Sequence, residues 1–344
     1  MSFEKGLFDG FETYTLKNKN GMEVTILSIG ASVIKALVPD RDGNFRDVVL
    51  GYERAKSYLK TDTYFGALCG RFAFRIADAS VEISGKEYKL TCNEGNYTIH
   101  GGSDNPCAMT KFAYKSHTDR SVTLTRFLPD GENGFPGNMT IEVTYTLSDE
   151  NGLRISYFAT SDKDTVINLS NHTYFNLAGH ASGSVEEHIM TMNADTFAPI
   201  DENIMFYGKV VPVTPVFDFR KPKEIGRDIN SGDRQLSLAG GYDHAWTVRT
   251  NGKVPVACTE VYCRESGINL TVNTNSPIVH LYTGNYLPGD NTEGKDGTVY
   301  VKRGGFCLET GFYSNCVKFP ELKMGFLKKD EVFDYETEFK FDVK

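Results

Sequence analysis

Apolar and polar side chains alternate without a break along Met139-Thr140-Ile141-Glu142-Val143-Thr144-Tyr145-Thr146-Leu147. Because successive side chains of a strand point to opposite faces of a sheet, this period of two predicts a β-strand with one buried face. The apolar positions resume at Leu153, Ile155 and Tyr157, after the pair Asn151-Gly152. An Asn-Gly pair between two alternating runs is typical of a β-hairpin, since both residues tolerate positive φ.

Similar turn signals recur along the chain and separate runs rich in Val, Ile, Thr, Tyr and Phe. They are Asn20-Gly21, Asp42-Gly43, Ser84-Gly85, Asp130-Gly131, Asn251-Gly252, Ser266-Gly267 and Asp296-Gly297. Helical candidates are few, and the longest, from Glu53 to Leu59, would make two turns. Strands joined by hairpins without helical crossovers favour antiparallel sheets, packed as a sandwich or closed as a barrel. The sequence therefore predicts an all-β protein, with a long loop or edge strands in the proline-rich segment from Pro199 to Pro222.

Length and composition are those of an ordinary soluble globular protein, with 344 residues, 40% apolar and 24% charged. Neither a linker-like segment nor an internal repeat interrupts the chain, so we expect one domain over residues 1–344. The 37 basic and 45 acidic residues give a net charge of -8, which argues against a nucleic-acid surface. Charged residues near the N-terminus and the lack of a long apolar run predict a cytoplasmic protein that does not span a membrane. The 7 cysteines form no CxxC pair, so we expect free, mostly buried thiols and no zinc site.

One segment stands out chemically, Asn168-Leu169-Ser170-Asn171-His172-Thr173-Tyr174-Phe175-Asn176-Leu177. It places a titratable imidazole among three amides that can both donate and accept hydrogen bonds, which indicates a shaped polar pocket. Glu309 has a different setting, because apolar residues flank it in Phe306-Cys307-Leu308-Glu309. A carboxylate there is expected to be partly buried and to need either a partner or a function.

Several short motifs occur in an order and spacing that resemble those of the aldose 1-epimerase (galactose mutarotase) family. The resemblance covers nearly the whole chain and, although no single motif is decisive, their joint order is specific. The motifs are Gly70-Arg71, His100-Gly101-Gly102, Asn171-His172-Thr173-Tyr174-Phe175-Asn176-Leu177, Phe217-Asp218-Phe219-Arg220-Lys221-Pro222, Asp243-His244, Tyr282-Thr283-Gly284-Asn285 and Leu308-Glu309-Thr310.

This resemblance implies a large antiparallel β-sandwich that interconverts the α and β anomers of a free aldose, such as galactose or glucose, without a cofactor. Glu309 matches the family's base and His172 its acid, while His100, also a catalytic residue, would hydrogen-bond near the ring oxygen and assist His172. Arg71 and Asp243 would bind sugar hydroxyls. The implied partner is a small sugar rather than a nucleic acid or a membrane, and the chain would be a monomer or a homodimer.

Reference pKa values of about 4.3 for Glu and 6.5 for His predict that a carboxylate and an imidazolium coexist between those values. Around neutral pH, an ionised Glu309 would help to keep His172 charged. Tyr174 and Trp246 are candidates to offer apolar faces to the C–H edges of the sugar.

The chain departs from the family pattern at two places. Where the family usually has Arg-x-Ala-Asn-Arg, this sequence has Arg71-Phe72-Ala73-Phe74-Arg75, so a phenylalanine replaces a hydrogen-bonding residue. After Leu308-Glu309-Thr310 the family commonly has glutamine and then a Pro-Asp-Ala run, whereas here Gly311 and Ser314-Asn315-Cys316 follow. Both departures fall beside proposed site residues and leave the preferred sugar open.

Structural alternatives exist for the proposed site residues. Glu309 can be a buried carboxylate paired with an arginine such as Arg303, and Arg71 with Asp243 can be a structural ion pair. His244 is left out of the site because neighbours on a strand point to opposite faces. The remaining histidines are assigned to the surface or the scaffold, namely His117, His180, His188 and His280.

Three other functions remain open on the sequence. A hexose-6-phosphate 1-epimerase of the same superfamily would need basic residues at the pocket, for which Arg75 is the one hint. A non-catalytic carbohydrate-binding protein of the same fold would fit the departures at Phe74 and Gly311. A glycosidase using Glu309 and Asp243 is less favoured, because nothing sets the distance between the two carboxylates.

Overall fold

The structure, a computed structural model, describes residues 1–250, 252–288 and 293–344. Its strands are β1 (Ser2–Phe8), β2 (Phe11–Lys17), β3 (Glu23–Leu27), β4 (Ser32–Pro39), β5 (Phe45–Asp47), β6 (Leu68–Cys69), β7 (Arg75–Ile76), β8 (Ser80–Ile83), β9 (Lys86–Lys89), β10 (Thr98–Ile99), β11 (Ala113–His117), β12 (Ser121–Leu128), β13 (Met139–Leu147), β14 (Gly152–Ser161), β15 (Thr165–Val166), β16 (Ser170–Asn171), β17 (Tyr174–Phe175), β18 (Ile189–Met192), β19 (Thr196–Ala198), β20 (Val211–Pro212), β21 (Lys223–Glu224), β22 (Asp243–Thr247), β23 (Val256–Tyr262), β24 (Ile268–Thr274), β25 (Ile278–Tyr282), β26 (Phe306–Gly311), β27 (Phe326–Leu327) and β28 (Val332–Val343).

Helical structure is short. The α-helix α1 covers Arg234–Ala239, and Asp233 caps it by accepting a hydrogen bond from the amide of Gln235. Its six residues are too few to show a helical period, which is why the sequence did not predict it. The 3-10 helices are Ala55–Leu59, Ala77–Ala79, Cys107–Met109, Glu132–Gly134, Lys295–Gly297, Cys316–Lys318 and Pro320–Leu322.

The alternating stretch forms β13, with buried and half-buried residues in strict alternation. It pairs antiparallel with β14, so that Met139 faces Ser161 and Leu147 faces Leu153. Asn151 adopts the positive φ expected of a turn residue, at 59°. The predicted hairpin is confirmed, although its loop is longer than a two-residue turn because Gly152 already belongs to β14.

Five of the other predicted turns join consecutive antiparallel strands, as expected, at residues 20–21, 42–43, 84–85, 130–131 and 266–267. The pair at 296–297 lies instead in a 3-10 helix, and Asn251 of the pair at 251–252 lies outside the described residues. The candidate helix from residue 53 to 59 is present as the 3-10 helix Ala55–Leu59. Its short length agrees with the few turns that the sequence allowed.

Two large antiparallel sheets form the body of the protein. The nine-stranded sheet has the order β11-β12-β13-β14-β28-β24-β23-β18-β21, and the six-stranded sheet has the order β17-β26-β25-β22-β19-β20. They pack face to face, since the rings of Phe175 and Phe339 lie 4.9 Å apart and the hydroxyls of Thr310 and Thr337 are hydrogen-bonded. The predicted all-β antiparallel sandwich is therefore confirmed.

The proline-rich segment and the cysteines also agree with the sequence predictions. The proline-rich segment supplies the edge strand β20, whose register places Pro212 opposite Thr196, and otherwise forms loops. A separate five-stranded sheet contains β1 to β5 in chain order. All seven cysteines are free, and six of them are buried. Within the described ranges, none of the helices has the length and apolar character needed to cross a membrane.

Replacing Ile141 by Ala tests the buried face of β13. The side chain is fully buried, so the substitution should lower the free energy of unfolding by about 2–5 kcal/mol through lost burial and a residual cavity. Thr140→Ala changes the neighbouring, half-buried position and should cost about 1 kcal/mol or less. Urea unfolding measures both values. Equal costs at the two positions would contradict the assignment of faces.

Candidate active site

The central strands of the six-stranded sheet place several polar groups on one face. His280 on β25 lies opposite Glu309 on β26, and Tyr282 lies opposite both Asp243 on β22 and Cys307 on β26. Residues paired across antiparallel strands share a face, and so do residues two apart on one strand. The side chains of Asp243, His280, Tyr282 and Glu309 therefore project together, away from the nine-stranded sheet.

His172 is held beside these groups by a loop between β16 and β17. Its amide donates to the carbonyl of Ala67 at 2.8 Å, and its carbonyl accepts from the amide of Gly66 at 3.0 Å. The side chain of Asn171 donates to the carbonyl of Gly66 as well, at 2.8 Å. The backbone at His172 is consequently fixed, and Nε2 of its imidazole lies 3.7 Å from Oε1 of Glu309.

His100 completes the group of buried imidazoles, because its ring centroid lies 5.4 Å from that of His172 in an edge-to-face arrangement. The amide of Phe74 donates to Nδ1 of His100 at 3.2 Å. Since Nδ1 accepts, a neutral His100 carries its proton on Nε2. The amide of His100 in turn donates to the carbonyl of Phe74 at 3.1 Å, so the two residues brace each other.

These residues line a cavity of about 510 Å³, which lies in the roughly 300–1,000 Å³ range of small-molecule sites. Its polar lining includes Asp62, Arg75, Asn93, Glu94, His100, His172, Asp243, His280 and Glu309, and its apolar or aromatic lining includes Tyr64, Phe74, Ile99, Tyr174, Ile204, Tyr282 and Tyr286. Four of the predicted site residues, His100, His172, Asp243 and Glu309, thus meet in one cavity.

Burial reverses the ionisation expected for the central pair. It raises the pKa of Glu309 well above the usual range, and the nearby charge of Asp243 adds to this effect. It also lowers the pKa of His172 to about 4. The expectation of an ionised Glu309 beside a charged His172 is therefore wrong for the resting site, because desolvation disfavours both charges. The neutral pair differs from the ion pair only in the position of one proton.

Asp243 keeps its charge despite its burial. Nε2 of His280 donates to Oδ1 at 2.6 Å. Burial alone would raise the pKa of Asp243, but the His280 hydrogen bond and the charge of Arg75 lower it below the usual value. Burial likewise opposes the charge of Arg75, yet the carboxylates of Asp243 and Glu94 raise its pKa. The charges of Asp243 and Glu94 and the charge of Arg75 thus stabilise each other along this wall.

The structure does not place Arg71 in the cavity. Its guanidinium is buried and donates to the carbonyls of Pro136 at 2.8 Å and Gly137 at 3.0 Å. Burial lowers the pKa of Arg71 to about 10. The prediction that Arg71 binds substrate is therefore corrected, because its donors are used to tie down a distant loop. The arginine of the cavity is Arg75, whose side chain is 12% exposed and bonds to Glu94 at 3.3 Å.

The predictions for Trp246 and His280 also need correction. Trp246 is not in the cavity, since it lies on the same strand face as His244 and donates from Nε1 to the carbonyl of Phe217. The alternation that correctly excluded His244 excludes Trp246 as well. His280 was assigned to the surface or scaffold, but it lines the cavity. Its spacing of two from Tyr282, which belongs to a family motif, was the signal that could have found it.

The structural alternatives considered for the two carboxylates are not realised. Arg303 pairs with Glu186 at 2.9 Å, so it does not neutralise Glu309. Asp243 pairs with His280 rather than with Arg71. Tyr174 lines the cavity as predicted, with its ring 5.1 Å from that of His172.

The segment after Glu309, which departs from the family pattern, contacts the backbone of residues that line the cavity. The hydroxyl of Ser314 accepts from the amide of Arg75 at 3.3 Å, and the amide of Asn315 donates to the carbonyl of Arg75 at 2.7 Å. Gly311 allows a close approach, because a Cβ there would lie 2.7 Å from Oδ1 of Asn168. These residues therefore act on the position of Arg75 and the adjoining backbone rather than lining the cavity.

Several buried polar atoms of the cavity wall have no hydrogen-bond partner among the described residues. They are Oε2 of Glu309, Nδ1 of His280 and Nε of Arg75. Unpaired buried polar groups are costly, so each of these atoms calls for an explanation such as a bound ligand. In the same described part of the chain, no cluster of three or more His, Cys, Asp or Glu side chains is arranged to hold a metal ion.

Comparison with known proteins identifies the family of the chain. A family model described as aldose 1-epimerase matches residues 12–340. The chain belongs to the aldose 1-epimerase family. It is 40% identical to galactose mutarotase from Homo sapiens over 324 residues, covering 94% of this chain and 92% of that protein. It is 36% identical to aldose 1-epimerase from Haemophilus influenzae over 335 residues, covering 96% of each.

The fold of the family is shared as well. The crystal structure of an aldose epimerase homologue from C. elegans superimposes with a TM-score of 0.88 at 28% identity, covering 99% of each chain. The family and the sandwich fold that the sequence motifs implied are thus confirmed.

His172→Asn tests the burial of the central imidazole through the pH dependence of folding. The folded-state pKa is about 4, whereas an unfolded histidine titrates near 6.5, so the unfolded chain binds the proton first as pH falls. The contribution of His172 to stability is therefore lost between about pH 6.5 and pH 4, and amounts to roughly 3 kcal/mol.

The measurement is urea unfolding at several pH values. The variant should lose less stability on acidification than the unsubstituted protein. His117→Asn, at an exposed position of β11, is the control and should retain the original slope. An unchanged slope in His172→Asn would show that the imidazole is not buried as described.

Proposed function

We propose that this protein interconverts the α and β anomers of a free aldose of the galactose or glucose type, with Glu309 as base and His172 as acid. The observation that carries the proposal is the buried Glu309–His172 pair, at 3.7 Å, in a cavity whose wall holds unpaired hydrogen-bonding atoms. Membership of the aldose 1-epimerase family supports the same reaction.

The proposed reaction needs two proton transfers at neighbouring oxygens. Glu309 removes the proton of the anomeric hydroxyl, and the electron pair of that O–H bond forms the C1=O double bond. The bond between C1 and the ring oxygen breaks, and the ring oxygen takes a proton from His172. Rotation about the C1–C2 bond and the reverse transfers close the ring on the other face of C1. A positioned acid or base typically contributes about 10²–10⁴-fold to such a step.

The resting protonation of the pair is compatible with these roles. They require the proton on His172 rather than on Glu309, whereas burial favours the neutral pair. Because the two forms hold the same number of protons, one proton moving between Glu309 and His172 prepares the site without exchange with solvent. Sugar hydroxyls that donate to Oε2 of Glu309 would stabilise the carboxylate and favour this form.

The remaining polar residues serve to bind and orient the sugar. His100, neutral because burial lowers its pKa well below the usual value, donates from Nε2 toward the ring oxygen. Asp243 accepts from hydroxyls, and its orientation is fixed by His280. Arg75, rather than Arg71, supplies a donor through its unpaired Nε. Asp243 and Arg75 hold the substrate, and His100 assists His172 at the ring oxygen.

A phosphorylated substrate is less consistent with the cavity. The carboxylates of Asp62, Glu94 and Asp243 line it together with the single guanidinium of Arg75, while burial disfavours the charge of Glu309. Arg75 is already paired with Glu94. A doubly charged phosphate would therefore meet net negative charge, which disfavours the hexose-6-phosphate alternative.

The proposal also takes residues 1–344 as one sandwich domain in the cytoplasm. One cluster of buried apolar residues contains side chains from Tyr14 near one end of the chain to Phe341 near the other, which supports a single core. The free thiols support a reducing compartment.

Glu309→Gln and His172→Asn test the acid–base pair. Each removes one proton-transfer group and should lower kcat by about 10²–10⁴-fold, while circular dichroism shows an intact fold. The rate is followed by polarimetry as fresh α-galactose or α-glucose approaches anomeric equilibrium. Glu142→Gln, on the half-buried face of β13, makes the same chemical change outside the cavity and should keep the full rate. Full activity in Glu309→Gln would disprove its role as base.

Arg75→Met and Arg71→Met test which of the two arginines binds the substrate and which has a structural role. Loss of a charged donor in the cavity should raise KM about tenfold or more for Arg75→Met, since such a hydrogen bond is worth about 1.5–3 kcal/mol. Arg71→Met should leave KM within about threefold, because its guanidinium bonds only to the 136–137 loop and Thr165 among the described residues. Initial-rate kinetics and melting temperatures are measured for both, with Arg71→Lys as a substitute if Arg71→Met does not fold. Equal rises in KM would contradict the assignment.

A further inference from the structure

Phe74 places an aromatic ring in the cavity where the family pattern has asparagine. The side chain is 4% exposed and stacks on His280, with ring centroids 4.7 Å apart and planes at 29°. The ring also lies 6.2 Å from that of His100. The wall between the two imidazoles is consequently apolar, and it offers no hydrogen bond at a point where an amide would.

The backbone at this position does not favour phenylalanine. Phe74 has a φ of 67°, in the left-handed region that asparagine tolerates and bulky residues rarely adopt. Phenylalanine therefore carries a conformational cost that asparagine would largely avoid. Costs of this kind persist mainly at ligand-binding and catalytic sites. The ring is thus better explained by what it faces than by the local chain conformation.

Ile204 extends the same wall under the same kind of constraint. It has a φ of 57°, which is unusual for a β-branched residue. Asp201 fixes this turn by accepting from the amides of Asn203 at 2.9 Å and Met205 at 3.0 Å. Phe74 and Ile204 both line the main cavity and a small neighbouring chamber beneath it. Two apolar side chains in left-handed conformations therefore line both spaces.

The position of this apolar wall relative to the sugar follows from His100. Its Nδ1 is occupied by the amide of Phe74, so Nε2 is the atom that donates to the ring oxygen in the proposed reaction. In an aldopyranose, C5 is bonded to the ring oxygen, and the exocyclic substituent is only one bond further away. The other neighbour of the ring oxygen, C1, carries the hydroxyl that the proposed reaction directs toward Glu309. The C5 substituent is then left for the part of the cavity beside His100, whose ring lies 6.2 Å from that of Phe74.

We propose that Phe74 is a specificity-determining residue that makes the site prefer aldoses without a hydroxyl on the C5 substituent, namely 6-deoxyhexoses and aldopentoses; this inference rests on the proposed function. A hydroxymethyl group facing the ring of Phe74 loses a hydrogen bond to water and gains none. A methyl group gains apolar burial at the same place, and a hydrogen avoids the loss.

The test compares sugars that share their ring stereochemistry. D-Galactose, 6-deoxy-D-galactose and L-arabinose differ only in the C5 substituent, which is hydroxymethyl, methyl or hydrogen. Exchange NMR at anomeric equilibrium gives kcat/KM for each without the need for a pure anomer. We expect kcat/KM for 6-deoxygalactose to exceed that for galactose by about tenfold, within the roughly 10–200-fold range available to apolar pockets.

Two substitutions test whether the side chain of Phe74 itself sets the sugar preference. Phe74→Asn suits the left-handed backbone and restores a polar wall, and it should reduce the preference for the 6-deoxy sugar to near one or reverse it. Phe74→Leu keeps an apolar side chain and should retain the preference. Melting temperatures show whether each variant is folded, and the comparison of sugars with the unsubstituted protein stands even if one variant is not.

The outcomes are distinguishable. Epimerisation of all three sugars with equal kcat/KM, or the same ratio in Phe74→Asn as in the unsubstituted protein, would overturn this inference and leave the proposed function intact. A stronger preference for galactose over 6-deoxygalactose would overturn it as well. No epimerisation of any sugar would overturn the proposed function itself.

Discussion

The pairing of β25 with β26 is the constraint on which the rest of the site depends. One face of these strands must pack on the nine-stranded sheet, and the hydroxyl of Thr310 bonds there to Thr337. Since side chains alternate along a strand, Glu309 must then point the other way, and the register brings His280 beside it. A shift of one residue would exchange the two faces, so the packing of the core and the position of Glu309 are set together.

Burial gives this sheet face its chemical character. A carboxyl group and an imidazole that would both be charged in water are surrounded by strands and aromatic rings, so both lose the stabilisation of their charged forms. Asp243 is also buried, but its carboxylate stays charged because His280 and Arg75 stabilise that charge. One wall therefore holds fixed charges, while burial favours the neutral form of the Glu309–His172 pair.

The opposite side of the cavity is built from loops rather than sheet, and its backbone is unusual. Tyr64, Phe74, His100 and Ile204 all line the cavity with positive φ, between 48° and 67°. Such conformations are sparsely populated by these residue types, and they turn side chains into directions that a regular strand does not offer. The sheet thus fixes Asp243, His280 and Glu309, whereas loops hold His172 and shape the rest of the cavity.

Much of the fold could be predicted from the local sequence, because a two-residue period and glycine turns depend only on neighbouring residues. The strand from Met139 to Leu147, its hairpin and most other turns could be read directly, and family motifs identified His100, His172, Asp243 and Glu309 as candidates that the structure brings into one cavity. Only the tertiary structure separated Arg71 from Arg75 and moved His280 into the site. These residues differ in which distant loops and strands they meet, and local patterns carry no record of such contacts. The pKa values of Glu309 and His172 were also beyond the sequence, since they depend on how completely the folded chain excludes water from the pair.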